Sequence, residues 1–215
     1  MVPYYDRDGI TIYHGDCRDV LPTLERDSVD LVLTDPPYPH EFQHLYGEMA
    51  NLTYPLMREG ASLVSLCGHY QVPAVLDAFT TAGLRYWWLA GMRHDSLARL
   101  PGKWVSVRWK PAVWFVKGRR FPGDTNTPID MLDGNQRDKR FHVWGQPANW
   151  FVHWIDQLCP PGGTVLDPFM GAGPIAEACY QLRRRYIGIE LVEDYCKVAV
   201  GRLAQQTLDL DGGAA

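Results

Sequence analysis

From end to end, short apolar runs rich in β-branched residues alternate with stretches of helical periodicity, and this constrains the chain more than any other feature. The runs Ile10–His14, Val29–Thr34, Ser62–Cys67, Leu84–Leu89, Ala112–Val116, Thr164–Leu166 and Arg185–Ile189 read as strands. Helical patterns fall between them at Arg18–Leu24, Glu48–Arg58, Val72–Thr80, Ala148–Leu158, Ile175–Leu182 and Val192–Gln205. Strands separated by helices are too far apart in sequence for hairpins. They therefore pair in parallel, with helices covering both faces. The expected class is α/β, a seven-stranded, mostly parallel sheet, in a single domain over residues 1–215. Two stretches break the rhythm, Tyr38–Gly47 and the Gly-, Pro- and Asn-rich Gly118–Gly145. Long irregular segments in compact domains are usually functional.

Several classes are excluded. No apolar run nears the roughly 20 residues of a membrane span. Five scattered cysteines without a Cys-x-x-Cys pair argue against zinc ribbons and disulfide frameworks, and read as a reduced, cytoplasmic protein. The net charge is −4, yet Lys103–Gln146 holds nine Lys and Arg against four Asp. A local basic surface on an acidic body suits contact with phosphates.

Three strand ends carry candidate chemistry. Asp35-Pro36-Pro37-Tyr38 follows the run Val29–Thr34. In an open α/β sheet the C-terminal ends of strands face the ligand crevice. Two prolines stiffen the turn and can aim the Asp35 carboxylate and the Pro36 carbonyl at one point, which suits an amino group with two N–H donors. Tyr38 offers a face for stacking on a planar base. The bland reading of the tetrapeptide is a rigid turn with a capping Asp. Asp167-Pro168-Phe169-Met170-Gly171-Ala172-Gly173 follows Thr164–Leu166 and opens a helix. Glycines there let a ligand approach the backbone. Glu190, 23 residues after Asp167 at the end of the next strand, suits ribose hydroxyls. Gly15-Asp16-Cys17 follows Ile10–His14. Asp16 can accept from an adenine amino group while the Cys17 N–H donates to the ring, or it can simply cap a helix.

With these motifs in place, the chain resembles the amino-directed DNA methyltransferases in their permuted, β-type order. The resemblance covers Gly15–Tyr38 and Phe141–Leu203 well and the middle loosely. Asp35–Tyr38 matches the family's (Asp/Asn/Ser)-Pro-Pro-(Tyr/Phe/Trp) tetrapeptide, and Phe169–Gly173 its Phe-x-Gly-x-Gly loop. Tyr186–Glu190 is similar to its ribose-binding strand, with Tyr195 and Arg202 in the helix that follows. The resemblance implies a Rossmann-like fold with S-adenosylmethionine (SAM) as cofactor. It further implies double-stranded DNA as partner with the target base flipped out, no membrane, and assembly as a homodimer left open. Asp35, Pro36, Pro37 and Tyr38 would be catalytic. Asp16, Cys17, Asp167, Phe169, Gly171, Gly173 and Glu190 would bind cofactor. In the family's sheet order 3-2-1-4-5-7-6, Thr164–Leu166 would stand first, Arg185–Ile189 second, Ile10–His14 third and Val29–Thr34 fourth. That order would make neighbours of strands whose acids are 132 residues apart. Residues 118–145 would form a short target-recognition insertion. His40, His44, Lys117, Arg119, Arg120, Arg137, Lys139 and Arg140 would meet nucleic acid.

Departures and rivals complete the reading. Val143 and Gln146 replace a Pro and a Lys of the family's His-Pro-x-x-Lys-Pro, and Gly171–Ile175 replaces Gly-Ser-Gly-Thr-Thr. The favoured product is N6-methyladenine; the alternatives are cytosine N4 and RNA adenine. A remote one is zinc hydrolysis through His40-Glu41-x-x-His44, which lacks a third ligand at a recognised spacing. The aromatic stripe Tyr86-Trp87-Trp88 with Trp104, Trp109 and Trp114 reads as core and strand packing rather than a stacking platform.

Overall fold

The structure, a computed structural model, describes residues 1–100, 104–120, 128–133 and 148–211. Its strands are β1 (Tyr5–Arg7), β2 (Ile10–His14), β3 (Val29–Thr34), β4 (Met57–Leu66), β5 (Arg85–Leu100), β6 (Val105–Val116), β7 (Met131–Asp133), β8 (Thr164–Asp167) and β9 (Arg185–Glu190). The helices are α1 (Cys17–Val20), α2 (His44–Thr53), α3 (Val72–Thr81), α4 (Ala148–Leu158), α5 (Pro174–Gln181) and α6 (Glu193–Asp211).

All nine strands join one sheet in the order β1-β2-β9-β8-β3-β4-β6-β5-β7. Without the two three-residue edge strands, β1 and β7, the order is the expected seven-strand one. The short strands make the difference from seven: β1 folds back antiparallel on β2, and β7 adds parallel to β5 at Gly91–Arg93. Pairing is parallel from β2 through β9, β8 and β3 to β4, then antiparallel at β6. Successive β3 residues face opposite sides, as the two-residue period requires. Leu31 and Leu33 enter one core with Trp154 of α4 and Ile175 of α5. Val32 enters another with Met49 of α2 and Phe79 of α3, joined by Val29 across the register shift between Val29 and Leu31. Burial on both faces explains why β3 reads as a continuous apolar run.

Some sequence expectations change. The helix expected at Glu48–Arg58 begins earlier, at His44, and ends at Thr53, because Met57 and Arg58 start β4. The irregular stretch Tyr38–Gly47 therefore holds a 3-10 turn at His40–Phe42 and the first turn of α2. Most of the aromatic stripe is strand packing rather than core: Tyr86, Trp87, Trp88 and Trp104 are exposed and only Trp114 of that stripe is buried, while Tyr86 packs on Phe115 and Trp87 on Trp114 of the neighbouring strand. The reason is position in the sheet. β5 stands near the edge, and among the described residues β7 covers it only from Gly91 onward. All five cysteines are free and buried. Among the described residues, no helix is long and apolar enough to cross a membrane.

Candidate active site

The chain changes direction across the sheet between β8 and β3. From β8 the next parallel strand lies on one side (β9); from β3 it lies on the other (β4). Such a switch point opens a crevice at the carboxyl ends of the strands. The strand register places Asp35, Asp167 and Glu190 on this rim, with the turn Gly15–Cys17 beside them. A cavity of about 720 Å³ opens there. Its lining includes Asp16, Cys17, Asp35, Pro37, Phe169, Gly171 and Glu190. The two motifs at opposite ends of the sequence thus share one pocket.

The glycine loop is held by side chains on neighbouring strands. Both oxygens of Glu190 accept backbone N–H groups, from Gly171 at 2.9 Å and Val192 at 2.8 Å. Gly171 has φ +54° and open space where a Cβ would stand. Gly173 has φ +79°, and a Cβ there would meet Ala199 of α6 at 2.7 Å. The first glycine leaves room at the cavity, and the second allows α5 and α6 to pack closely. Pro174 begins α5, where its missing N–H costs nothing.

Asp167 is buried, at 1% exposure, and lines the floor of the cavity. It accepts from the Thr34 hydroxyl at 2.7 Å, the Tyr186 hydroxyl at 3.2 Å and the Phe169 N–H at 3.2 Å. Burial pushes its carboxyl up to about 7, against these three hydrogen bonds, with the nearby Asp35 adding a smaller push. Asp16 takes the capping role and stands at the cavity. It caps α1 by accepting the Arg18 N–H at 2.9 Å and pairs with the Arg18 guanidinium at 2.5 Å, yet it also lines the cavity. The guanidinium hydrogen bonds hold its carboxyl below the ordinary value.

The tetrapeptide loop is locked from outside. The Tyr38 carbonyl accepts from the Tyr70 hydroxyl at 2.6 Å and the Gln71 amide at 2.9 Å. The buried Gln71 also accepts from the Gly68 N–H at 2.9 Å. The Tyr38 hydroxyl donates to Asp35 Oδ1. Burial, then the adjacent Asp35 charge, pushes the Tyr38 phenol well up, so it remains a donor. Lys110 of β6 donates to the Tyr38 hydroxyl at 3.2 Å, lies 4.9 Å from the centre of its ring, and stands 4.0 Å from Asp35 Oδ2.

Sequence reasoning missed Lys110, Thr34, Tyr70 and Gln71, and placed Tyr186 only in the ribose-binding strand, without its bond to Asp167. Gly68–Gln71 did leave a signal, a polar cluster between an apolar strand and a helix. Lys110 left none, because only the antiparallel pairing of β6 decides which of its ends meets Asp35. The same pairing removes Lys117 from the site. Val113 pairs with Ser65, which pairs with Thr34, so Lys117, four residues farther on and just past the end of β6, lies away from Asp35. Lys117 instead donates to Asp27 at 2.9 Å and to the Met57 carbonyl at 2.7 Å. The Arg119 N–H is taken by Glu59 at 3.0 Å, and Arg120 lies over Trp114. The structure therefore does not bring Lys117, Arg119 or Arg120 to Asp35. Arg137, Lys139 and Arg140, the replaced positions Val143 and Gln146, and most of the 118–145 insertion lie outside the described residues. His40 and His44 are on the loop and helix beside the tetrapeptide; His44 lines the cavity, and its Nδ1 lies 2.8 Å from the Glu41 carbonyl.

The lining fits a nucleoside: carboxylate acceptors at Asp16 and Glu190, apolar walls at Phe169, Met170 and Ile189, and a volume in the usual small-ligand range of about 300–1,000 Å³. Comparison with known proteins agrees. The family model of the N6/N4 methyltransferases, described as DNA methylase, matches residues 29–201. The methylase-named protein YubD of Escherichia coli (strain K12) is 30% identical over 215 aligned residues, covering 94% of this chain and 93% of its own. The solved M1.HpyAVI–SAM complex superposes with a TM-score of 0.74 at 24% identity, covering 90% of this chain and 99% of that one. The PvuII DNA methyltransferase (cytosine-N4-specific) superposes with a TM-score of 0.80 at 18% identity, covering 93% of this chain and 88% of that one. Family membership, rather than any absence of metal, replaces the hydrolase reading of His40 and His44. The chain belongs to the N6-adenine/N4-cytosine DNA methyltransferase family, and its cofactor is S-adenosylmethionine.

Proposed function

We propose that the chain methylates N6 of a target adenine in double-stranded DNA, with the base turned out of the helix into the crevice beside Asp35. The observation that carries this reading is the cavity shared by Asp35, Gly171 and Glu190. It joins an acceptor suited to an exocyclic amine with a loop suited to a nucleoside. SAM supplies an electrophilic methyl group on a sulfonium. The protein must supply a competent nitrogen. An exocyclic amine is a poor nucleophile because its lone pair is delocalised into the ring. Asp35 and the Pro36 carbonyl accept its two N–H bonds, favour a pyramidal nitrogen and turn the lone pair outward. Asp35 also offsets the positive charge that forms on nitrogen. Holding the reacting groups together is worth about 7–11 kcal/mol in well-oriented systems. The methylated ammonium is acidic and gives its proton to Asp35 or water, so no strong base is needed beforehand. Turning the base out costs a few kcal/mol; stacking on Tyr38 returns about 1–3 kcal/mol.

In this proposal Asp16, Cys17, Asp167, Phe169, Gly171, Gly173 and Glu190 serve the cofactor, and Asp35–Tyr38 the reaction. His40 and His44 face the DNA beside the crevice, and residues 118–145 read the target. Cytosine N4 is the second reading, favoured by the cytosine-N4 specificity in the name of the structurally similar PvuII enzyme. One experiment separates them. The protein is incubated with methyl-labelled SAM and genomic DNA, the DNA is digested to nucleosides, and the labelled base is identified by mass spectrometry. N6-methyladenine supports the proposal; N4-methylcytosine transfers the mechanism to the second reading; label in neither base ends both.

A further inference from the structure

Lys110 has no role in the reaction as described so far, yet three contacts tie it to the reacting group. Its Nζ lies 3.2 Å from the Tyr38 hydroxyl, 4.9 Å from the ring centre of Tyr38 and 4.0 Å from Asp35 Oδ2. The other polar side chains of this corner are committed to the loop. Tyr70 and the Gln71 amide both donate to the Tyr38 carbonyl, and Gln71 Oε1 accepts from Gly68. Lys110 carries three N–H donors and no acceptor. Its backbone is firmly placed: Lys110 pairs with Met92 of β5, and the neighbouring Pro111 carbonyl accepts from Cys67 at 3.1 Å.

We infer that Lys110 and Asp35 form one recognition pair for the edge of the target base, with Lys110 donating to the ring nitrogen beside the amine that Asp35 accepts. The inference rests on the proposed role of Asp35. An acceptor and a donor 4.0 Å apart match an amino group next to an unprotonated ring nitrogen. Adenine presents that pattern at N6 and N1, and cytosine at N4 and N3. At the matching edge, guanine (O6 and N1) and thymine (O4 and N3) present the reverse, a carbonyl beside an N–H, which would set an oxygen against the carboxylate and an N–H against the ammonium. The pair therefore selects adenine and cytosine, whose amine stands where guanine and thymine carry a carbonyl, by satisfying them and repelling the others. An ammonium here opposes the positive charge forming on the amine. Its benefit thus lies in binding and orienting the base, and its loss falls on KM more than on kcat.

The test uses the full chain with SAM and a duplex containing the target site found by nucleoside analysis. One duplex carries the natural base, and a second carries its deaza analogue without the ring nitrogen, 1-deazaadenine or 3-deazacytosine. Wild type and K110M are compared on both, with K110R as the variant that restores a donor. K110M is expected to lower kcat/KM on the natural base at least tenfold, chiefly through KM. On the deaza duplex, wild type is expected to fall to a similar level and K110M to lose no more than twofold relative to it. K110R is expected to recover part of the loss on the natural base only. Equal K110M losses on both duplexes, or none on the natural one, would overturn the inference. If K110M fails to fold, as judged by circular dichroism and cofactor binding, K110R against wild type on the two duplexes decides by the same pattern. Wild-type transfer to an amine on the natural duplex tests the proposed function separately, so the two readings can fail independently.

Discussion

The hydroxyl of Thr34 donates a 2.7 Å hydrogen bond to the carboxylate of Asp167, which lies 133 residues later in the chain. This bond ties the last residue of β3, next to the proposed amine acceptor, to the last residue of β8, next to the glycine loop. A buried carboxylate that loses one of its donors is costly. T34V keeps the shape of the side chain and removes the hydroxyl. It is expected to lower stability by about 1–3 kcal/mol. It should also raise the Asp167 pKa further, since the Thr34 bond holds it down. Urea unfolding of T34V checks the first expectation, and an unchanged midpoint would show that the bond contributes nothing.

Asp167 makes stability depend on pH in an unusual direction for a carboxylate. Its folded value is raised, from 3.8 to about 7, so the folded state holds its proton more tightly than the unfolded state does. The associated stability is fully present below the unfolded value and is lost as pH rises through about 7. Asn cannot titrate. The stability of wild type relative to D167N is therefore expected to decline between about pH 4 and pH 7 and then level off. Urea midpoints measured across that range check the slope, and a rising difference would contradict the assignment.

Glu190 holds Gly171 and Val192 through both carboxylate oxygens. E190A is expected to weaken SAM affinity at least tenfold by calorimetry while also loosening the loop. E190Q keeps one acceptor and should fall between the two. Wild-type affinity in E190A would remove Glu190 from the cofactor site.

Asp35 is expected to be indispensable for transfer yet dispensable for cofactor binding. D35A should lower kcat by at least a thousandfold and change SAM affinity less than threefold. Radiolabel transfer to DNA and calorimetry provide the two readings. Methylation by D35A at the wild-type rate would end the proposed mechanism.

Tyr38 combines a stacking face with a hydroxyl joined to Asp35 and Lys110. Y38F keeps the face and loses the hydroxyl, and is expected to reduce kcat/KM about threefold to tenfold. Y38A loses both and should cost at least tenfold more, in line with about 1–3 kcal/mol for stacking on a base. Equal losses in the two variants would assign the effect to the hydroxyl alone.

The sequence by itself determined the types of the main elements and the rim residues, while the strand order followed from the family resemblance. The physical reason is local: a buried parallel strand must be apolar on both faces, and a turn that binds a ligand at a strand end needs Gly, Pro and acids in short reach. Asp35, Asp167, Gly171 and Glu190 were legible for that reason. Only the tertiary structure decided which residues from distant segments meet. Lys110 and Lys117 are similar in sequence, seven positions apart, the first on β6 and the second just past its end. The antiparallel direction of β6 carries the first to Asp35 and the second toward Met57. The exposure of Tyr86 and Trp88 was hidden likewise, because an apolar strand at the sheet edge reads the same as one in the centre. Local pattern records what a segment buries, while partners and direction come from packing between segments, which no single stretch encodes.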